Sequence, residues 1–280
     1  MKKYDLAIAH RVCPVLAKTA SHFDDKLKMI EATTASLASA LEGIRGKVTI
    51  ILDGCGKEYK ELFDKSFAPL GNAYRVIETP KIGNLSTYNK QLEVLLDDAA
   101  AAEFLYFSED DYIYRKDAFV AMMDFLRRDG VDFVTPLDHP DRYSLKVPGS
   151  RRSEIRVSDF CHWREVGTTC CTFMTKSHTL VETQKLLADY GRGSGDSGMW
   201  LRLTKDNMFA FKDTVGAMWR YLTGRRTTAE GLEFVTLAAW KYYKWKLPFG
   251  KRYRLWGPIP SLAVHLCKPS LPPLYEALLK

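Results

Sequence analysis

Short apolar runs alternate with runs of helical periodicity through the first half of the chain, and nothing else in the sequence limits the fold as strongly. Tyr4–His10 (YDLAIAH) reads as a first strand. Asp24–Leu41 carries Leu27, Ile30, Thr34, Leu37 and Leu41 at helical spacing, with Gly43 as a stop signal. Lys47–Leu52 (KVTIIL) is a β-branched strand ending at Asp53-Gly54, and Lys57–Phe67 is helix-like. Tyr74–Glu78 is a third strand and Leu85–Ala102 a second long helix. Phe104–Phe107 (FLYF) is a fourth strand that runs into Ser108-Glu109-Asp110-Asp111, followed by a helix over Lys116–Arg128.

Strands alternating with helices imply βαβ units and a mostly parallel sheet. In such sheets ligands sit at the carboxyl ends of the strands. That rule selects Arg11, Asp53, the Lys81–Asn89 segment and Glu109 to Asp111 as neighbours, although they are far apart in sequence. The second half is less regular. Phe133–Pro136 reads as a strand, Asp138–Tyr143 as a polar loop and Thr168–Thr175 as a β-branched, apolar run. Ser177–Tyr190 is a helix that ends in the glycine-rich Gly191–Gly198, and a short helix follows over Ser197–Thr204.

With 280 residues, 46% of them hydrophobic, the chain can bury one large core. The net charge of +7 suits polyanionic partners: phosphorylated small molecules, nucleic acid or anionic lipid. The six cysteines (Cys13, Cys55, Cys161, Cys170, Cys171 and Cys267) show no CxxC spacing. They read as reduced, buried thiols of a cytoplasmic protein. The apolar run near the N-terminus is too short for a signal peptide. No run reaches the ~18 apolar residues that a membrane-spanning helix needs.

The strongest chemical signal is FLYFSEDDYIY. Three carboxylates in a row at the end of a buried strand repel one another, and a bridging cation would relieve that cost. Hard oxygen ligands suit Mg²⁺ or Mn²⁺, which keep several waters and bind substrate phosphates through one or two carboxylates. The alternative is a solvated acidic turn capping the next helix.

This run resembles the DxD element of GT-A nucleotide-diphosphosugar glycosyltransferases, of the family-2-like bacterial polysaccharide type. Other pieces follow in that family's order: His10-Arg11-Val12 after the first strand, Asp53 in LDGC after the second, GNLSTYNKQLE (Gly83–Glu93), GTTCCTFMT and GDSGMWLRL. The resemblance covers roughly residues 4–215 and departs in having Glu109 where the family has Asp. It implies a Rossmann-type three-layer α/β/α sandwich with a mostly parallel central sheet. It also implies that Asp53 recognises the nucleotide base and that Asn84 and Asn89 flank the donor. Glu109 and Asp110 would serve the donor, and Arg11 its diphosphate. Asp111 would bind the metal, with His265 of PIPSLAVHL completing its shell. Asp196 would be the general base that deprotonates the acceptor hydroxyl in an inverting transfer; it could also simply cap its helix. Trp200 would offer the acceptor an apolar platform. His139, in LDHPDRY, is placed on the acceptor side, against the plainer reading of an Asp/Pro turn.

Two other motifs fail their context. Gly193–Gly198 matches GxGxxG but follows a helix instead of opening a first βα unit. Its GDSG letters lack the all-β framework and upstream partners of a serine protease triad.

The stretch Trp240–Trp256 (WKYYKWKLPFGKRYRLW) interleaves six Lys or Arg with seven aromatics. That composition suits an anionic membrane surface, a helix packed by its aromatic face or single-stranded nucleic acid. The expected organisation is a GT-A-like domain over residues 1–230, divided into a nucleotide-binding half (1–115) and an acceptor half (116–230). Residues 231–280 form a basic, aromatic extension packing on the domain or on a membrane. The expected activity is metal-dependent transfer from a UDP-sugar to a glycan or lipid-linked acceptor, in polysaccharide biosynthesis on the cytoplasmic face of the membrane. A sugar-phosphate nucleotidyltransferase ranks lower, because HRVCPV lacks the glycine-rich loop such enzymes carry after the first strand. A non-catalytic nucleic-acid-binding protein leaves the acidic triplet unexplained, so no nucleic acid partner is expected.

Overall fold

The computed structural model describes residues 2–16, 23–68, 73–139, 141–144, 154–193, 195–205, 223 and 250–266. The expected alternation is present: β1 (Tyr4–Val12), α1 (Lys26–Ala40), β2 (Gly46–Asp53), α2 (Lys57–Phe67), β3 (Ala73–Thr79), α3 (Asn84–Asp98) and β4 (Ala102–Glu109). Then come β5 (Tyr112–Tyr114), α4 (Ala118–Leu126), β6 (Phe133–Val134), α5 (Asp141–Ser144), β7 (Ile155–Val157), β8 (His162–Val166) and β9 (Phe173–Lys176). The order closes with α6 (Ser177–Leu187), α7 (Gly195–Thr204), β10 (Leu255–Ile259) and β11 (Ala263–His265).

One nine-stranded sheet, ordered β3-β2-β1-β4-β9-β6-β10-β8-β7, organises the molecule. β3, β2, β1 and β4 are parallel, and β6 and β10 are parallel to each other. β9 runs antiparallel to both β4 and β6, and β8 antiparallel to β10 and β7, so the sheet is mostly parallel in direction. Successive side chains of a strand face opposite ways, which gives the sheet two cores. Leu6, Ile8, Val48, Ile50, Phe104 and Tyr106 pack against α1, α2 and α4. Ala7, Ala9, Ile51, Leu105 and Phe107 pack against α3, α6 and α7. The result is the three-layer α/β/α architecture expected.

Local signals explain the boundaries. The Asp25 carboxylate caps α1 by accepting from the Lys28 N–H at 2.8 Å. α3 ends at Asp98, short of the expected Ala102, because Ala102 already pairs with Tyr4 in the sheet. Thr168–Thr175 becomes strand only from Phe173; the residues before it turn polar groups toward their neighbours. The segment read as an extension supplies β10, which lies between β6 and β8 inside the sheet. There Tyr253 and Trp256 are buried, and Arg252 and Arg254 pair with Glu165. The basic, aromatic residues 240–249 lie outside the described residues. Among the described residues, no helix is long and apolar enough to cross a membrane.

Two expectations from the sequence are corrected. Cys13 is exposed and Cys55 and Cys170 are half-buried, whereas Cys161 and Cys171 are buried as anticipated; Cys267 lies outside the described residues. Trp200 is 0% exposed. It meets Phe133 and Phe173 edge-on at 5.4 and 4.9 Å between ring centroids. Met199, Trp200 and Leu203 form the buried face of α7, so Trp200 is a core residue and not a sugar platform. Trp200→Ala should therefore cost about 3–5 kcal/mol in urea unfolding, as large-to-small core changes do. A surface platform would lose no more than about 0.5 kcal/mol.

Candidate active site

The carboxyl ends of β1, β2 and β4 form one edge, since Arg11 lies opposite Ile51 on one side and Glu109 on the other. On this edge each acid of the triplet meets a different cation. Arg11 Nη2 donates to Glu109 Oε1 at 2.6 Å, and Thr172 Oγ1 donates to Glu109 Oε2 at 3.1 Å. Lys26, at the start of α1, pairs with Asp110 at 2.8 Å, and the Cys13 N–H donates to the same carboxylate at 3.0 Å. His265 Nε2 lies 3.0 Å from Asp111 Oδ2.

The His265 contact spans most of the chain and has a clear structural cause. β11 pairs antiparallel with β5, setting His265 opposite Tyr112. The two rings stack at 4.8 Å with 9° between their planes, and the Leu266 N–H donates to Asp111 O at 2.8 Å.

Burial and neighbouring charge divide the triplet. Burial pushes the Asp110 carboxyl up to about 6, against the pull of Lys26 and with the push of Asp111. Burial also acts to raise Asp111, but His265 outweighs it and holds that carboxyl below its usual range. Below the triplet His10 is buried and held neutral, its pKa lowered to about 3 by burial and by Lys26. Its Nδ1 shares a hydrogen bond with Ser108 Oγ at 2.8 Å, and Ser108 with the Tyr114 hydroxyl at 3.2 Å.

Arg11 is buried, and Glu109 raises its pKa against the effect of burial. It also donates to Asn84 O at 2.9 Å and Asn84 Oδ1 at 2.5 Å, and lies 5.9 Å from the ring centroids of Tyr88 and Tyr190. Asn84 Nδ2 in turn donates to the Tyr190 hydroxyl at 2.9 Å. Arg11 thus ties β1 to the start of α3 and to Glu109. Asn89, one turn further along α3, lies against Gly191, where a Cβ would overlap its side chain.

Asp53 is 5% exposed and grips the loop that leads to α3. It accepts from Thr79 Oγ1 at 3.2 Å, the Ile82 N–H at 2.6 Å and the Gly83 N–H at 2.9 Å. A carboxylate has about four lone-pair sites, so one remains for a ligand. Gly54 beside it has φ +69°, and a Cβ there would come to 3.0 Å of Lys81 Cβ, which closes the β2 turn tightly.

Asp196 lies in the first turn of α7, where helix N–H groups favour an acid. Its Oδ1 accepts from the Ser197 N–H at 2.7 Å. Asp196 and the triplet both act on the Cys170 thiol: burial first, then Glu109, Asp196 and Asp111, push it up to about 12. His139 is half-buried in the loop before α5, with its carbonyl accepting from the Arg142 N–H. The structure thus gathers Arg11, Asn84, Glu109, Asp110, Asp111, His265 and Asp53 on one edge, while Asp196 hydrogen-bonds locally, to Ser197. Lys26, Thr172, Tyr190, Tyr112 and the cysteine pair are site residues that the sequence reading missed. GTTCCTFMT was marked as a family piece, but nothing in the pattern singled out Thr172.

A divalent ion held by both Asp111 and His265 would take the place of the proton shared by His265 Nε2 and Asp111 Oδ2, its shell completed by substrate. Asp111 Oδ1 and His265 Nδ1 are buried without a hydrogen-bond partner among the described residues. No group of three His, Cys, Asp or Glu that could hold an ion exists among those residues. Two protein ligands, with waters and substrate phosphate, are what Mg²⁺ commonly takes.

The chain matches no family model and no curated protein. Solved structures align with it at low identity. One is S. aureus TarS 1-349 in complex with UDP, at 13% identity and a TM-score of 0.47 over 71% of this chain and 54% of that one. Another is the galactosyltransferase LgtC in complex with donor and acceptor sugar analogs, at 10% and 0.39 over 66% of this chain and 65% of that one. A third is 4-diphosphocytidyl-2C-methyl-D-erythritol synthase from Anaerococcus prevotii, at 8% and 0.40 over 71% and 84%. The chain spans about half the length of the TarS 1-349 chains. With each of these TM-scores below 0.5, the chemistry is read from the site's own residues.

The Asp111–His265 pair has a defined pH signature. His265 is raised above 6.5: burial opposes this, and the Asp111 charge and hydrogen bond outweigh it. Its contribution is complete below the unfolded pKa and is lost as pH rises through the higher folded value. Asp111 contributes above 3.8 and loses this as pH falls through its lowered folded value. In EDTA, the melting-temperature gap between wild type and His265→Ala should therefore be large near pH 6 and shrink as pH rises through the raised folded value. A gap independent of pH would show that no charge pair forms.

Proposed function

We propose that the chain is a GT-A-type glycosyltransferase that moves a sugar from a nucleotide diphosphosugar, a UDP-sugar in the first instance, to a hydroxyl of a glycan or lipid-linked acceptor. The observation that carries this reading is the convergence of Asp53, Asn84 and the Asp111–His265 pair on the carboxyl edge of a parallel β-sheet.

Asp53 would accept a hydrogen bond from the base while holding the loop before α3. Asn84, fixed by Arg11 and Tyr190, would border the donor at the α3 N-terminus, where helix N–H groups favour phosphate. Asp111 and His265 would hold Mg²⁺ or Mn²⁺, which would stabilise charge on the leaving diphosphate. Glu109 and Asp110, tied to Arg11 and Lys26, would keep Asp111 in place. Asp196 would take the proton from the acceptor hydroxyl as its oxygen forms the new bond to the anomeric carbon. The bond from that carbon to the diphosphate oxygen breaks, and the nucleoside diphosphate leaves with the electron pair. A single displacement of this kind inverts the anomeric centre. Synthesis of a polysaccharide is the role we assign to it.

Calorimetry with UDP and GDP, in Mn²⁺ and in EDTA, tests the donor site. UDP binding should depend on Mn²⁺ and disappear in Asp111→Ala; absence of nucleotide binding by folded wild type would sink the reading. Asp196→Asn should keep UDP affinity and lower turnover by about 10²–10⁴-fold, the usual size of a lost general base. Unchanged turnover would remove Asp196 from the chemistry.

A further inference from the structure

The cations around the acidic triplet are all matched: Arg11 with Glu109, Lys26 with Asp110, His265 with Asp111. Arg142 is different. It sits in α5, on the acceptor half, and Asp138 is the nearby acid that acts on it most. The Asp138 carboxylate is already engaged, accepting from Arg164 Nη2 at 2.8 Å and from the Tyr143 hydroxyl at 2.5 Å. Arg142 Nη2 donates to the Thr168 carbonyl at 3.1 Å, a neutral partner. Arg142 Nη1 is buried and has no partner among the described residues.

The fold makes room for this guanidinium. It lies over the bare backbone of Gly257, where a Cβ would overlap Nη1. Cys170 lies within its field, and Cys170 is in turn within the fields of Glu109, Asp111 and Asp196. β10, which carries Gly257, runs parallel to β6 and, through β9, in the same direction as β4, so Arg142 lies toward the same carboxyl edge as the triplet and holds Thr168, two residues before Cys170. Burial depresses its pKa to about 10, with Asp138 opposing, so the free chain bears the desolvation of a cation without a charge partner. Such a group gains strongly when an oxyanion supplies charge-assisted hydrogen bonds.

We propose that Arg142 is an anion receptor of the site, and that its ligand is a phosphate group. The planar fork of arginine matches phosphate, and the reaction proposed above uses a phosphorylated substrate. The phosphate belongs either to the donor's diphosphate or to a phosphorylated acceptor. Only that choice of carrier rests on the glycosyltransferase reading; the anion contact itself does not.

The test titrates wild type, Arg142→Gln and Arg142→Lys, as full chains in Mn²⁺, with UDP, uridine and glycerol 3-phosphate. Uridine should bind wild type and Arg142→Gln alike. At least one phosphorylated probe should lose about tenfold or more in affinity in Arg142→Gln, with Arg142→Lys in between. Loss on UDP assigns the donor's diphosphate; loss on glycerol 3-phosphate alone assigns an acceptor phosphate. If wild type binds neither uridine nor UDP but binds glycerol 3-phosphate through Arg142, the anion site stands and the glycosyltransferase reading falls. If both phosphorylated probes bind Arg142→Gln as they bind wild type, or neither binds wild type, the proposal is overturned. Melting temperatures give the independent check, because removing an unmatched cation should not destabilise the fold. A clear drop in both variants would make Arg142 a structural cation and also overturn the proposal.

Discussion

Three adjacent carboxylates at the end of a buried strand set the terms for the rest of this molecule. Each is met by a cation from a different part of the chain: Arg11 from β1, Lys26 from α1 and His265 from β11. Removing one partner of a buried pair typically costs about 3–5 kcal/mol, because the other charge is left stranded. The triplet therefore fixes where β1, α1 and β11 end relative to β4. It also sets the acids apart electrostatically. Burial pushes Asp110 up while His265 holds Asp111 down, and Asp111 Oδ1 is buried without a hydrogen-bond partner among the described residues.

The same economy of charge runs through the second half of the chain. Asp138 is divided between Arg164 and Tyr143, which ties the loop before α5 to β8, and Glu165 of β8 pairs with Arg252 and Arg254. The Glu165 pairs fasten β8 to the segment that enters β10, although the two are distant in sequence. Arg142 stands out against that background as a buried guanidinium facing an engaged acid and a neutral carbonyl.

The first half of the chain was legible in the sequence because its information is local. Apolar runs and helical periodicity located β1 to β4 and α1 to α3, and α2 was placed to the residue at Lys57–Phe67. The rule about strand carboxyl ends then brought Arg11, Asp53 and the acidic triplet together. The second half of the chain was not legible in this way. β5, β8, β10 and β11 are short, and all four pair with partners far along the chain, such as Tyr112 for His265. Periodicity cannot report such pairing. Lys26 looked like any helix-start lysine, since only the packing of α1 sets it beside Asp110. Trp200 was misread although its signal was present: Met199, Trp200 and Leu203 follow the spacing of a buried helix face.

The most direct test of the central claim is anomalous diffraction at the manganese edge from crystals grown with UDP and Mn²⁺. The account expects a manganese peak in contact with Asp111 and His265, with the UDP diphosphate on it and the base at the ends of β1 and β2. UDP bound elsewhere, or manganese seated away from an intact Asp111–His265 pair, would contradict it.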